Sequence, residues 1–98
     1  MSEEVIRLLR IRGRVQGVGY RAFVQEHAIR HGFRGWTRNR SDGSVEALVA
    51  GEAEAAKRLI AKLRDGPPAA RIADIEEQDA GPEALIGYED DFAILPTL

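Results

Sequence analysis

The chain has 98 residues, enough for one domain with a modest core and too few for a second domain with a core of its own. Hydrophobic residues make up 44% and charged residues 31%, the balance of an ordered globular protein, and the absence of cysteine removes disulfides, thiolate metal sites, iron–sulfur clusters and cysteine nucleophiles. The formal net charge of −2 divides into +4 over residues 1–49 and −6 over residues 50–98, so the first half is the anion-attracting half.

In chain order, Met1-Ser2-Glu3-Glu4 is acidic and the apolar stretch after it is broken by Arg7, Arg10 and Arg12, which does not read as a secretory leader. No run reaches the roughly 18 apolar residues of a membrane span, and a cytoplasmic location is expected. Val5 to Arg12 reads as a strand that runs into a loop punctuated by Gly13, Gly17 and Gly19. From Tyr20 the apolar positions Tyr20, Phe23, Val24 and Ala28 fall at helical spacing, and Gly32 sits where a helix-ending glycine belongs. Phe33 to Arg40 is a second strand; Ser41-Asp42-Gly43-Ser44 supplies a turn, and Val45, Ala47 and Val49 alternate after it as a third. Ala56, Leu59, Ile60 and Leu63 recur at three- and four-residue spacing as a second helix, ended by Gly66-Pro67-Pro68. Ala70 to Asp79 and Asp91 to Leu95 read as two further strands around a loop at Gly81-Pro82.

The order strand, helix, strand, strand, helix, strand, with a short extra strand, predicts an α+β ferredoxin-like sandwich: an antiparallel sheet with both helices on one face. One domain over residues 1–98 is expected, with its core at about residues 5–96.

Gly13-Arg14-Val15-Gln16-Gly17-Val18-Gly19-Tyr20-Arg21 joins a strand to a helix, where unpaired N–H groups meet the positive end of the helix dipole. The glycines let consecutive amides turn inward as an anion-holding nest, and Arg21 in the first helical turn adds a fixed positive fork. A Walker A loop is ruled out, since no Gly-Lys-Ser or Gly-Lys-Thr follows. Gly17-Val18-Gly19-Tyr20-Arg21-Ala22 does match the dinucleotide fingerprint, but no acidic residue ends the next strand and the chain is too short for two mononucleotide-binding halves. The loop by itself leaves two readings open, an anion site or a tight connection with Arg21 on the surface.

That loop resembles the signature of the acylphosphatases. Gly35-Trp36-Thr37-Arg38-Asn39, followed by Asp42-Gly43-Ser44-Val45-Glu46, is similar to their second motif, and Gly66-Pro67-Pro68-Ala69-Ala70-Arg71 is similar to their passage from second helix to fourth strand. The resemblance covers nearly the whole chain; it departs at Thr37, where an aliphatic residue is frequent, and at Tyr20, where phenylalanine is. It implies a ferredoxin-like hydrolase that cleaves an acyl phosphate, a carboxylic–phosphoric mixed anhydride, to carboxylate and inorganic phosphate. By the same resemblance Arg21 binds the phosphate, the backbone amides of Val15, Gln16, Gly17, Val18, Gly19 and Tyr20 form its cradle, and Asn39 holds the attacking water.

The residue types suit that chemistry. The leaving carboxylate is a stable anion and needs no general acid, so positioning and charge neutralisation can suffice. The amide of Asn39 takes no proton at neutral pH, but its oxygen can accept a hydrogen bond from water and orient it. No His, Asp and Glu cluster has the spacing of a magnesium or zinc site, so neither metal nor cofactor is expected; His27 and His31 read as one partly buried helix face. Trp36 reads as a core or site-wall residue. An RNA-binding module on the same fold would show aromatics on its central strands, but Val5 to Arg12 and Ser44 to Ala50 have none, and the net charge is negative. The expected partners are a small acyl phosphate and inorganic phosphate as product and inhibitor, with no nucleic acid, no membrane and a monomeric chain.

Overall fold

The computed structural model describes residues 3–98. Its elements run β1 (Glu4–Arg14), α1 (Tyr20–Arg30), β2 (Arg34–Asn39), β3 (Val45–Glu52), α2 (Ala53–Asp65), β4 (Arg71–Asp79), a single 3-10 turn (Pro82–Leu85) and β5 (Phe92–Ile94). The sheet order is β4-β1-β3-β2-β5. This is the expected ferredoxin-like sandwich.

Four strands pair antiparallel, while β5 lies parallel to β2 and makes the sheet mixed. The direction of β5 follows from the connection before it. Three antiparallel steps separate β4 from β2, so the two run in opposite senses. The chain leaves β4 at one edge and crosses the sheet with Ala80, Leu85 and Tyr88 packed against Trp36, Leu48 and Ala50. It then enters the other edge from the end where β4 finished, so β5 runs with β2.

The sheet has two different faces because side chains alternate along each strand. Leu9 and Ile11 of β1 and Val45, Ala47 and Val49 of β3 turn toward the helices, where they meet Val24 and Ala28 of α1 and Leu59 and Leu63 of α2. All of these are fully buried, and each Leu, Ile or Val side chain so covered contributes about 1.5–3 kcal/mol. Ile6, Leu8, Trp36, Leu48 and Ala50 face the other way. Central β3 is therefore buried on both faces, and only its polar Glu46 interrupts an apolar run. Trp36 belongs to this second core beneath Leu85, on the face away from the helices.

β1 is longer than its periodicity predicts. It continues to Arg14, and Gly13 sits inside it at a shift of register against β4, with no room for a Cβ beside the Arg71 carbonyl. The connection to α1 is thus Val15 to Gly19 alone.

Candidate active site

Both ends of the Val15–Gly19 loop are anchored in the helix-side core. Val15 and Tyr20 are each 1% exposed, and the Tyr20 hydroxyl donates to the Leu63 carbonyl of α2 at 2.8 Å, which fixes the start of α1 against the second helix. Burial also pushes the Tyr20 phenol well above its ordinary value, so it stays protonated. Between these anchors Gly17 (φ 72°) and Gly19 (φ 78°) are left-handed. A Cβ at either would meet open space, so glycine is needed there for the backbone conformation itself, which costs other residues roughly 1–2 kcal/mol.

The helix that follows is uncapped. Gly19 offers no side-chain acceptor to the first turn of α1, and that turn holds no acidic residue. Among the described residues, no N–H group from Val15 to Tyr20 donates to another part of the protein. Unpartnered amides at a helix N-terminus are a site for an anion.

Gln16 spends its side chain differently. Its Nε2 donates to the carbonyls of Arg40 (2.8 Å) and Ser44 (2.9 Å), so one amide ties the loop to the turn between β2 and β3. The turn is itself stiff: the Asp42 carboxylate accepts from the Ser44 amide at 2.9 Å and hydroxyl at 2.6 Å, and the Arg40 amide donates to the Ser44 carbonyl. Those two bonds from Ser44, aided by Arg10 and Arg40, hold the Asp42 carboxyl below its ordinary range. Asp42 is a turn-forming residue, engaged in structure.

Asn39 ends β2 just before this turn and projects to the helix face. Its Oδ1 is buried and has no hydrogen-bond partner. Arg21, half-buried on α1, forms no ion pair or hydrogen bond with any described residue. The two line a single cavity of about 210 Å³ together with Val15, Gly17, Gly19 and Tyr20, and Ala22 and Ile94 complete its wall. Of the loop residues expected at the phosphate, Gln16 turns its side chain to the β2–β3 turn and Val18 packs its side chain on the helix-side core, which leaves their backbone amides for the cradle. Ile94 and the Gln16 tie carry no signal in the sequence, since both arise from pairings made only when distant segments meet.

Three other arginines, Arg10, Arg38 and Arg40, converge on the opposite face around Glu46, whose side chain is 7% exposed. Glu46 accepts from Arg38 Nε at 2.8 Å and Arg40 Nη1 at 3.1 Å, with Arg10 at 3.5 Å. Burial opposes its ionisation, but the two arginine hydrogen bonds prevail and hold the carboxyl below its ordinary value. Arg38 also stacks on Trp36, 4.6 Å from the ring centre. Thr37, between them, is fully buried and donates its hydroxyl to the Glu46 carbonyl at 3.0 Å, which accounts for a polar residue at that core position. On α1, His27 packs on Phe23 and His31 Nδ1 donates to the His27 carbonyl, so this helix face serves packing.

The sequence model of the acylphosphatase family matches residues 8–94. The chain belongs to the acylphosphatase family. It is 52% identical to an acylphosphatase from Nitrobacter winogradskyi over 97 residues, which is 97% of this chain and 98% of that protein. It is 58% identical to one from Azoarcus over 83 residues, 85% of each chain. The crystal structure of acylphosphatase from Bacillus subtilis superposes with a TM-score of 0.84 at 34% identity, covering 93% of this chain and 98% of that one. The protein is accordingly a hydrolase acting on an acid anhydride, the acyl phosphate linkage.

Proposed function

We propose that this acylphosphatase cleaves its substrate by clamping the phosphoryl group between Arg21 and the amides of Val15 to Tyr20, while Asn39 Oδ1 holds the attacking water. The observation that carries this reading is the pair of unsatisfied groups in one cavity: a buried acceptor on Asn39 and an unpaired guanidinium on Arg21. A buried acceptor without a partner is uncommon in a folded protein and is relieved by a bound donor, here water. An arginine left free of carboxylates keeps its full fork for the phosphoryl oxygens.

In the reaction the water oxygen forms a bond to phosphorus as the bond from phosphorus to the acyl oxygen breaks, and the electron pair leaves on the carboxylate. The water proton passes to a phosphoryl oxygen, so no protein base is required. Charge gathering on the phosphoryl oxygens meets donors fixed by the loop; one such donor is typically worth roughly 3–4 kcal/mol in the transition state. Neither metal nor cofactor takes part. Inorganic phosphate, the product, occupies the same cradle and inhibits.

The 98 residues act as one domain and as a monomer in the cytoplasm; no helix among the described residues is long and apolar enough to cross a membrane. Assay of benzoyl phosphate hydrolysis in excess EDTA tests the mechanism. Full activity with competitive inhibition by phosphate is expected, and activity that disappears with EDTA and returns with a divalent cation would overturn it.

A further inference from the structure

Arg21 and Asn39 supply all the charge and the one unsatisfied acceptor of the cavity, and what remains of its side-chain wall is apolar. Val15 and Tyr20 are buried at its base, with the Tyr20 hydroxyl committed to Leu63, so the accessible apolar part is Ala22 and Ile94. Ile94 is 40% exposed although its strand neighbour on the same face, Phe92, is only 5% exposed in the core. Single exposed hydrophobics are common and by themselves mean little. Ile94 differs from the exposed Ile29, Ile86 and Leu98 in lying within the wall of the cavity that holds Arg21 and Asn39.

We infer that Ile94 is the contact for the acyl group of the substrate and biases the enzyme toward acyl phosphates with apolar, aryl or branched acyl chains. The inference rests on the clamp described above. With the phosphoryl group held by Arg21 and the loop amides, an apolar acyl group covers Ile94 and removes both surfaces from water. A second carboxylate on the acyl chain finds no further cation among the residues lining the cavity, and an ammonium finds no carboxylate. Specificity is then set at the end of β5, an element that contributes nothing to the phosphate cradle.

The test compares kcat/KM for benzoyl, acetyl and succinyl phosphates in the full-length enzyme and in Ile94→Ala and Ile94→Lys. Removing a partly exposed apolar contact should lower the benzoyl-to-acetyl ratio about fivefold in Ile94→Ala, and the added cation should raise the succinyl-to-benzoyl ratio about tenfold in Ile94→Lys. The inhibition constant for inorganic phosphate reports the cradle without an acyl group and should shift less than about twofold. Should lysine disturb the edge strand, the benzoyl-to-acetyl ratio of Ile94→Ala decides alone. Ratios unchanged in an active enzyme would overturn the role of Ile94 and leave the hydrolytic clamp standing. A wild-type protein inactive on all three substrates would end the clamp and this inference together.

Discussion

Arg38 and Asn39 are neighbours on β2, yet they serve opposite faces of the sheet. On the far face Arg38, Arg40 and Arg10 converge on one buried carboxylate, Glu46. On the helix face Arg21 and Asn39 stand in a cavity with no protein partner for the guanidinium or the amide oxygen among the described residues. In the first arrangement each guanidinium already has a carboxylate within 4 Å, although Arg10 Nε has no hydrogen-bond partner. The second leaves its donors and its acceptor open, at a cost in folding free energy that a ligand can relieve. An arginine's role is therefore set by what already surrounds it, and four arginines of this sheet region, Arg10, Arg12, Arg38 and Arg40, are matched by carboxylates while Arg21 is not.

That contrast predicts opposite outcomes for substitutions on the two faces. Arg21→Gln should lower kcat/KM at least about a thousandfold, while the unfolding free energy moves by no more than about 0.5 kcal/mol, because no hydrogen bond or ion pair within the described residues is lost. Steady-state kinetics paired with urea unfolding would read both. A destabilised but active Arg21→Gln protein would erase the distinction.

Glu46→Ala should do the reverse. It leaves three arginines without their shared partner, and a loss of about 2 kcal/mol is expected, below the value for a fully buried pair because the arginines remain partly hydrated. This corresponds to a thermal midpoint lower by about 10 °C, with kcat/KM within about threefold of wild type at a temperature where the variant is folded. The same carboxylate also shapes the acid limb. Because Glu46 ionises more readily when folded than its ordinary value of 4.5, the folded state binds fewer protons, so this stability is present above that pH and disappears as pH falls through the folded value. Urea midpoints followed from pH 7 downward should fall less steeply below about pH 4.5 in Glu46→Gln than in wild type.

The elements were largely legible because local periodicity writes them: the helical spacing of Leu59, Ile60 and Leu63, the turn chemistry of Asp42-Gly43 and the stop at Gly66 are all short-range signals. Arg21 and Asn39 stood out as candidates through their motifs. What stayed hidden depends on residues far apart in the chain. Gln16 reads as a loop residue until the β2–β3 turn is folded against it, 24 and 28 residues away. The parallel setting of β5, and with it the place of Ile94, depends on a crossing of the whole sheet that no local pattern encodes. The far-face core of Trp36 and Leu85 is hidden for the same reason.

The most direct test of the clamp is Asn39→Ala, assayed for kcat and for inhibition by inorganic phosphate. If Asn39 positions water while Arg21 and the loop amides bind phosphate, kcat should fall about 100- to 1,000-fold and the phosphate inhibition constant should stay within about threefold. An Asn39→Ala enzyme that keeps its kcat, or that loses phosphate binding as fully as it loses turnover, would contradict it.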